Sequence, residues 1–432
     1  MRPSKELEQN LRLALADRAL TEEEWQALVE PIADATSLAA SAVSRKVLEV
    51  WSDDRYQLDP QTRAWMRAFL ESRGYDVPEA RPAGVSTPEL EREIEATNVG
   101  EVDDAFQEMA TRAGAEDGTV LVAVLDNGFD LFHPELGHKG WSNPREVPGN
   151  GVDDDGDGKV DDSNGWDFLD GDGDLGNPTG DWHGTHVAGI ASRGTERIRV
   201  LPCRVVEANY DIQKVAEAIR YACGRGARIL NMSFGVETAE QVSVMRQVLA
   251  QYPQTLFVVA CGNDGRPLEG YDPDAFLAAN AYPNLAVVAA CDATGERAGF
   301  SNYGRFATVA ARGTDVLSSI PQAQYGKISG TSMAAPEVVN TAAKCLLLDP
   351  ALDPVGLQKV LALTSDVRES WRGKVAAGGP LNPERAFALA ALAGLVRRGE
   401  AVEAAARRLP LSELDRVRVL KALPELLRSA AA

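Results

Sequence analysis

Three short segments hold a carboxylate, an imidazole and a hydroxyl, in the chain order Asp, His, Ser. In Val124-Leu125-Asp126-Asn127-Gly128 an apolar run ends in a carboxylate and then a turn. The carboxyl end of a strand is where α/β folds place ligands and catalytic groups. The segment His183-Gly184-Thr185-His186-Val187-Ala188-Gly189 holds two of the chain's four histidines. Its small residues let a helix pack closely on a sheet, and no HExxH or HxH pattern accompanies it as a zinc site would require. In Ser329-Gly330-Thr331-Ser332-Met333-Ala334-Ala335-Pro336, glycine and small residues expose a hydroxyl at a helix N-terminus. A serine is a weak nucleophile until a base takes its proton. His183 can be that base, and Asp126 the carboxylate that orients it. The chemistry is acyl transfer through a covalent intermediate. Taken singly, the segments also read as a turn, a core histidine and a helix cap. A fourth segment, Val259-Ala260-Cys261-Gly262-Asn263-Asp264-Gly265, follows another apolar run, and its Asn263 amide can face a developing oxyanion.

HGTHVAG and GTSMAAP resemble the histidine and serine signatures of the subtilase family along their whole length, and the Asp-His-Ser order agrees. The resemblance covers roughly residues 118–392. It implies Asp126 as orienting carboxylate, His183 as general base and then acid, and Ser332 as nucleophile. It implies Asn263 and the Ser332 backbone N–H as the oxyanion hole. Asn231-Met232-Ser233-Phe234-Gly235 is similar to the family's substrate-binding strand, so Ser233, Phe234 and Gly235 are the expected substrate contacts. Phe300-Ser301-Asn302-Tyr303-Gly304 resembles a further family segment, and Gly378-Gly379 with residues 382–388 resembles the usual end of the catalytic domain. Departures are Asn127, where Ser or Thr is usual, Cys261, where a small residue is common, and Arg312, where Pro is usual. They bear on specificity and pocket shape more than on activity. Two other readings stay open: a scaffold that keeps the fold without turnover, and an esterase. The latter calls for a G-x-S-x-G elbow with the histidine last, which Ser332 lacks.

Between the first two segments lies an acidic loop, residues 150–162. Asp153, Asp155 and Asp157 stand at alternate positions with Asp161 nearby, a set suited to one hard cation. Position twelve counted from Asp153 is Asn164, not the glutamate of an EF-hand. Calcium often stabilises subtilases, and many carry a similar insertion. The loop reads either as a structural calcium site or as a solvated turn held by its glycines.

The elements that must position these groups alternate. Apolar runs at 120–125, 227–232, 255–260 and 285–290 read as buried parallel strands, with 198–206 a weaker one broken by Arg199, Pro202 and Arg204. Helical patterns at 215–223 and 239–251 lie between them. The expected fold is α/β and subtilisin-like, a mainly parallel sheet with helices on both faces. It carries an N-terminal helical region and a C-terminal helical tail. The expected divisions are 1–77 helical, 78–117 a Pro-containing acidic linker, 118–392 the peptidase domain and 393–432 a helical appendage. Subtilases commonly carry an inhibitory, folding-assisting propeptide, so residues 1–77 read as a pro- or regulatory region. The expected enzyme is then a zymogen-type serine endopeptidase.

Composition sets outer bounds. The chain has 432 residues, 44% hydrophobic and 25% charged, with net charge −20. That acidity argues against nucleic-acid binding. No apolar stretch reaches the ~18 residues a membrane span needs, and the first twenty residues hold no uninterrupted apolar core of a secretory signal. The five scattered cysteines suggest neither a disulfide framework nor a zinc site. A cytoplasmic location is expected, with unconventional export open. Partners are a protein or peptide substrate and an inhibitory or regulatory protein.

Overall fold

Seven residues, Val120–Asp126 (β1), run apolar until the closing aspartate, and the strand is buried almost throughout. Alternate side chains enter two cores: Val122 and Val124 one, Ala123 and Leu125 the other. A strand covered on both faces needs such an unbroken run. The computed structural model describes residues 99–428, apart from 116, 177–181, 207–209, 236–237, 269–281 and 322. The helices expected within residues 1–77 and the first part of the linker lie outside the described residues.

Trp166–Asp167 (β2), Ile198–Arg204 (β3), Ile229–Met232 (β4), Leu256–Ala260 (β5), Leu285–Cys291 (β6) and Val309–Arg312 (β7) join β1 in one sheet of order β2-β3-β1-β4-β5-β6-β7. Every pairing in it is parallel. Leu125 faces Cys203 on one side and Met232 on the other, so Asp126 ends an inner strand of the sheet. The chain builds outward from β1 in both directions, and that switch is where α/β sheets open a crevice. The proline in β3 is tolerated for a local reason. Val200 N–H points away from β1, to the Lys139 carbonyl, and Pro202 two residues on shares that side, so the β1 ladder loses no donor.

Helices cover both faces. Val99–Ala113 (α1) and Trp182–Ser192 (α2) pack on one; Ile212–Gly224 (α3) and Ala239–Gln251 (α4) pack on the other. Thr331–Leu348 (α5), Pro354–Thr364 (α6), Pro383–Arg397 (α7), Val402–Arg408 (α8) and Glu413–Arg428 (α9) complete the first face. Almost every residue of α5 is buried. An antiparallel hairpin, Val316–Ile320 (β8) and Gln324–Ile328 (β9), leads directly into α5. Its period went unread in the sequence because Ser318, Ser319 and Lys327 interrupt any apolar run.

Two boundaries differ from the expected ones. Residues 99–113, inside the expected linker, form α1. Phe106 of α1 is fully buried and meets Phe387 edge-to-face at 5.6 Å. Asp103 pairs with the buried ammonium of Lys344 in α5. The polar spacing of this segment read as a linker because half of its helix faces solvent. At the other end α7 crosses position 392 without a break, so the appendage begins after Arg397.

Candidate active site

Asp126 sits at the end of β1, only 3% exposed. His183 is the second residue of α2, and its Nδ1 lies 2.7 Å from Asp126 Oδ1. That approach depends on Gly184. A β-carbon there would stand 2.3 Å from the Gly128 carbonyl oxygen and 3.0 Å from Asp126 Cβ. Asn127 ties the two partners further: its N–H donates to Asp126 Oδ1 at 2.8 Å, and its Oδ1 accepts the Gly184 N–H at 3.1 Å. Burial works against a charge on His183, but the Asp126 carboxylate overcomes it and raises the imidazole pKa above its usual 6.5. Nδ1 is turned to Asp126, so Nε2 is the ring nitrogen on the side away from the carboxylate.

The second histidine of the segment has a different task. His186 is fully buried, and its Nε2 lies 3.0 Å from the carbonyls of both Val316 and Gly326. Burial, against those two bonds, lowers its pKa to about 4, so it is a neutral pin between α2 and the hairpin.

Ser332 is the second residue of α5, where first-turn N–H groups have no helical acceptor. Its Oγ donates to the Ser233 carbonyl at 3.1 Å, and Ser233 Oγ donates back to the Ser332 carbonyl at 2.9 Å. The latter acceptor is open because Pro336, four residues on, has no N–H to offer it. Asn231 Nδ2 donates to Ser233 Oγ at 2.9 Å, so the chain from β4 to α5 is closed. Met232 pairs with Leu125, which puts Ser233 beside Asp126 at the same sheet end.

Asn263 follows β5. Its Oδ1 accepts both the Thr331 N–H and the Thr331 hydroxyl, each at 2.9 Å. With the carbonyl end held, the amide end faces outward. A β-carbon at Gly330 would lie 3.8 Å from Asn263 Nδ2 and 3.7 Å from the Ser332 nitrogen, so both donors border one small space. Asn302 has a role that its place in the sequence does not announce. Its Oδ1 accepts the N–H groups of Asp264 and Arg266, and its Nδ2 donates to the Cys261 carbonyl at 3.0 Å. It shapes the loop on which Asn263 sits. Gly262 in that loop has φ +97°, and a β-carbon would stand 2.5 Å from Asn302 Nδ2. The only signal in the sequence was an asparagine in the Phe300–Gly304 segment.

Of the expected substrate contacts, Ser233 is buried and committed to Ser332. Phe234 packs its ring against Tyr210 at 5.3 Å, and exposed Gly235 gives its carbonyl to the Tyr210 hydroxyl.

The acidic loop is held largely by its own carboxylates. Asp153 accepts N–H groups from Gly156, Asp157 and Gly158. Asp153, Asp155 and Asp157 offer oxygens all within 4.8 Å of one another, and so do Glu146, Asp155 and Asp162. Asp161 joins neither group. It has φ +58°, and its oxygens accept the N–H groups of Asn150 and Gly151. Glu146 and Asp162 lie outside the alternating Asp run, so spacing alone does not mark them.

Comparison with known proteins agrees with this architecture. The subtilase family model matches residues 117–388. A thermophilic serine proteinase of Bacillus sp. (strain AK1) is 32% identical over 260 residues, covering 57% of this chain and 56% of that protein. Thermitase of Thermoactinomyces vulgaris is 29% identical over 284 residues, covering 63% of this chain and 90% of thermitase. The chain thus spans little more than half of the first relative's length. In a solved structure from the assembly of the subtilase cytotoxin SubAB, the match covers 67% of this chain and 96% of that one, with TM-score 0.55 and 22% identity, a likeness of fold. With the signatures of residues 183–189 and 329–336 placed around one sheet end, and the family model spanning the whole sheet, the chain belongs to the subtilase family.

Proposed function

We propose that this chain is a serine endopeptidase acting through Asp126, His183 and Ser332. The carrying observation is the 2.7 Å pair between Asp126 and His183 Nδ1, at the sheet end where a serine opening a buried helix bonds the residue that follows β4. Ser332 Oγ leaves the Ser233 carbonyl by rotation about its Cα–Cβ bond and attacks a peptide carbonyl. His183 Nε2 takes the hydroxyl proton, and Asp126 steadies the imidazolium that forms. The Asn263 amide and the Ser332 N–H receive the oxyanion, a pair whose side-chain member is worth on the order of 10²–10³ in kcat in subtilisin, its established example. His183 then protonates the leaving amine, and water releases the acyl group. An extended substrate lies along Ser233, Phe234 and Gly235.

Residues 1–77 are read as a pro- or regulatory segment. The acidic loop is read as a structural calcium site. Asp153, Asp155 and Asp157 supply the hard oxygen ligands such an ion takes, with Glu146 and Asp162 adjoining. The ion would secure the loop and has no part in bond cleavage.

The decisive variant is Ser332→Ala. Casein hydrolysis and labelling by a fluorophosphonate both vanish in it while the fold, followed by circular dichroism, persists. Undiminished hydrolysis by this variant refutes the assignment.

A further inference from the structure

Helix α3 ends at Gly224, and Arg225 caps it before Gly226 turns the chain at φ +90°. This sends the Arg225 side chain off the helix end and into the acidic loop. There its guanidinium bonds Asp155 and Asp157 at 2.6 Å each and Asp162 at 2.7 Å. Its side chain is 5% exposed and lies against the rings of Trp141 and Tyr221, 5.7 and 5.1 Å from their centroids. Asp162 is locked behind it by the Tyr221 hydroxyl at 2.6 Å and Asn143 Nδ2 at 2.7 Å. Arg225 therefore touches members of both carboxylate trios, and Asp155 is common to the two.

The charge is not balanced by this contact. Arg145 adds a second, more exposed guanidinium at 3.1 Å from Asp155. Lys159 faces the rings of Trp166, Phe168 and Tyr221. Five carboxylates, those of Glu146, Asp153, Asp155, Asp157 and Asp162, share the site. Glu146 is 6% exposed. Its Oε1 accepts the N–H groups of Asp154 and Asp155, while Oε2 is buried with no partner. A buried carboxylate oxygen without a donor is an unsatisfied acceptor that a cation would satisfy.

We propose that Arg225 is the resident counter-charge of this loop, holding it folded without a metal and weakening calcium binding there. The second half rests on the calcium reading above; the first does not. A fixed guanidinium satisfies three carboxylates that otherwise repel one another, and it repels a divalent ion seeking the same oxygens.

The test uses the full chain carrying Ser332→Ala, so that autolysis does not intrude. Hydrogen exchange of residues 150–162 is followed in a chelator and in calcium chloride, with calcium titrated by calorimetry. The parent loop keeps its protection in chelator. Arg225→Gln loses protection there, regains it in calcium, and binds calcium at least ~10-fold more tightly than the parent. Loss of protection by the parent in chelator overturns the proposal, as does full protection of Arg225→Gln in chelator. If neither protein binds calcium, the calcium reading fails and the chelator comparison alone decides the role of Arg225. Should Arg225→Gln not fold, Arg225→Lys decides. It keeps the charge without the planar fork, so calcium affinity stays near the parent's, and a gain of tenfold or more overturns the proposal.

Discussion

Asn127 shows how a departure from the family pattern finds a use. It carries a bond to each of two chemical partners, the Asp126 carboxylate and the backbone just after His183. Removing its side chain frees the Gly184 N–H and loosens the start of α2. Asn127→Ala therefore lowers kcat about tenfold with KM nearly unchanged, since a small displacement of a catalytic group is felt mainly in the chemical step. Asn127→Ser, with a shorter acceptor, recovers part of the loss. Steady-state kinetics on a peptide substrate decide it: a change confined to KM contradicts a positioning role. The residue types at 126, 183, 263 and 332 were legible in the sequence. The residues that orient them were not, because Asn302 and Ser233 act on neighbours 36 to 41 and 99 positions away.

Between elements, two buried polar contacts fix how the helices carrying His183 and Ser332 sit. The first is His186. Unfolded, its imidazole titrates near 6.5; folded, near 4. The folded state thus binds fewer protons between these values, so stability is present above pH 6.5 and falls as the pH drops to 4. At 1.36 kcal/mol per unit the loss approaches ~3 kcal/mol. In the Ser332→Ala background, melting against pH is less steep over this window for His186→Gln. An equal slope in both removes His186 as the source.

The second contact is the pair of Asp103 in α1 with Lys344 in α5. Lys344 is fully buried; burial, against the pull of Asp103, lowers its pKa to about 8. Asp103→Asn removes the carboxylate that keeps the proton on this buried amine, a change that costs up to about 3–5 kcal/mol. Calorimetry reads this as a clear fall in melting temperature, and adding Lys344→Met returns much of it. A second substitution that deepens the loss argues against the pair.

At the scale of the molecule, α1 belongs to the body that carries the sheet. Phe106, Met109 and Ala110 are buried against α5 and α7, and Gln107 reaches the Gly194 carbonyl at the end of α2 at 2.8 Å. Burial of side chains such as Phe106 and Met109 contributes about 1.5–3 kcal/mol each. Any maturation cut consequently falls before Val99, and mass spectrometry of active enzyme finds α1 retained. An active species beginning after Ala113 contradicts this. All five cysteines are free, none paired with another. No helix among the described residues is long and apolar enough to cross a membrane.

What the chain order alone determined were the local features. Short unbroken apolar runs between turn residues point to inner strands, and small-residue signatures around a histidine and a serine point to close-packed helix starts. The α/β class and the alternation of elements followed. What only the tertiary structure decided were partners across large separations. Arg225 entering an acidic loop nearly 70 residues earlier, Asn302 shaping the loop of Asn263, and α1 closing on α5 all depend on which helix end meets which loop. Neither periodicity nor spacing encodes that meeting. The packing of one sheet between two helical layers sets it.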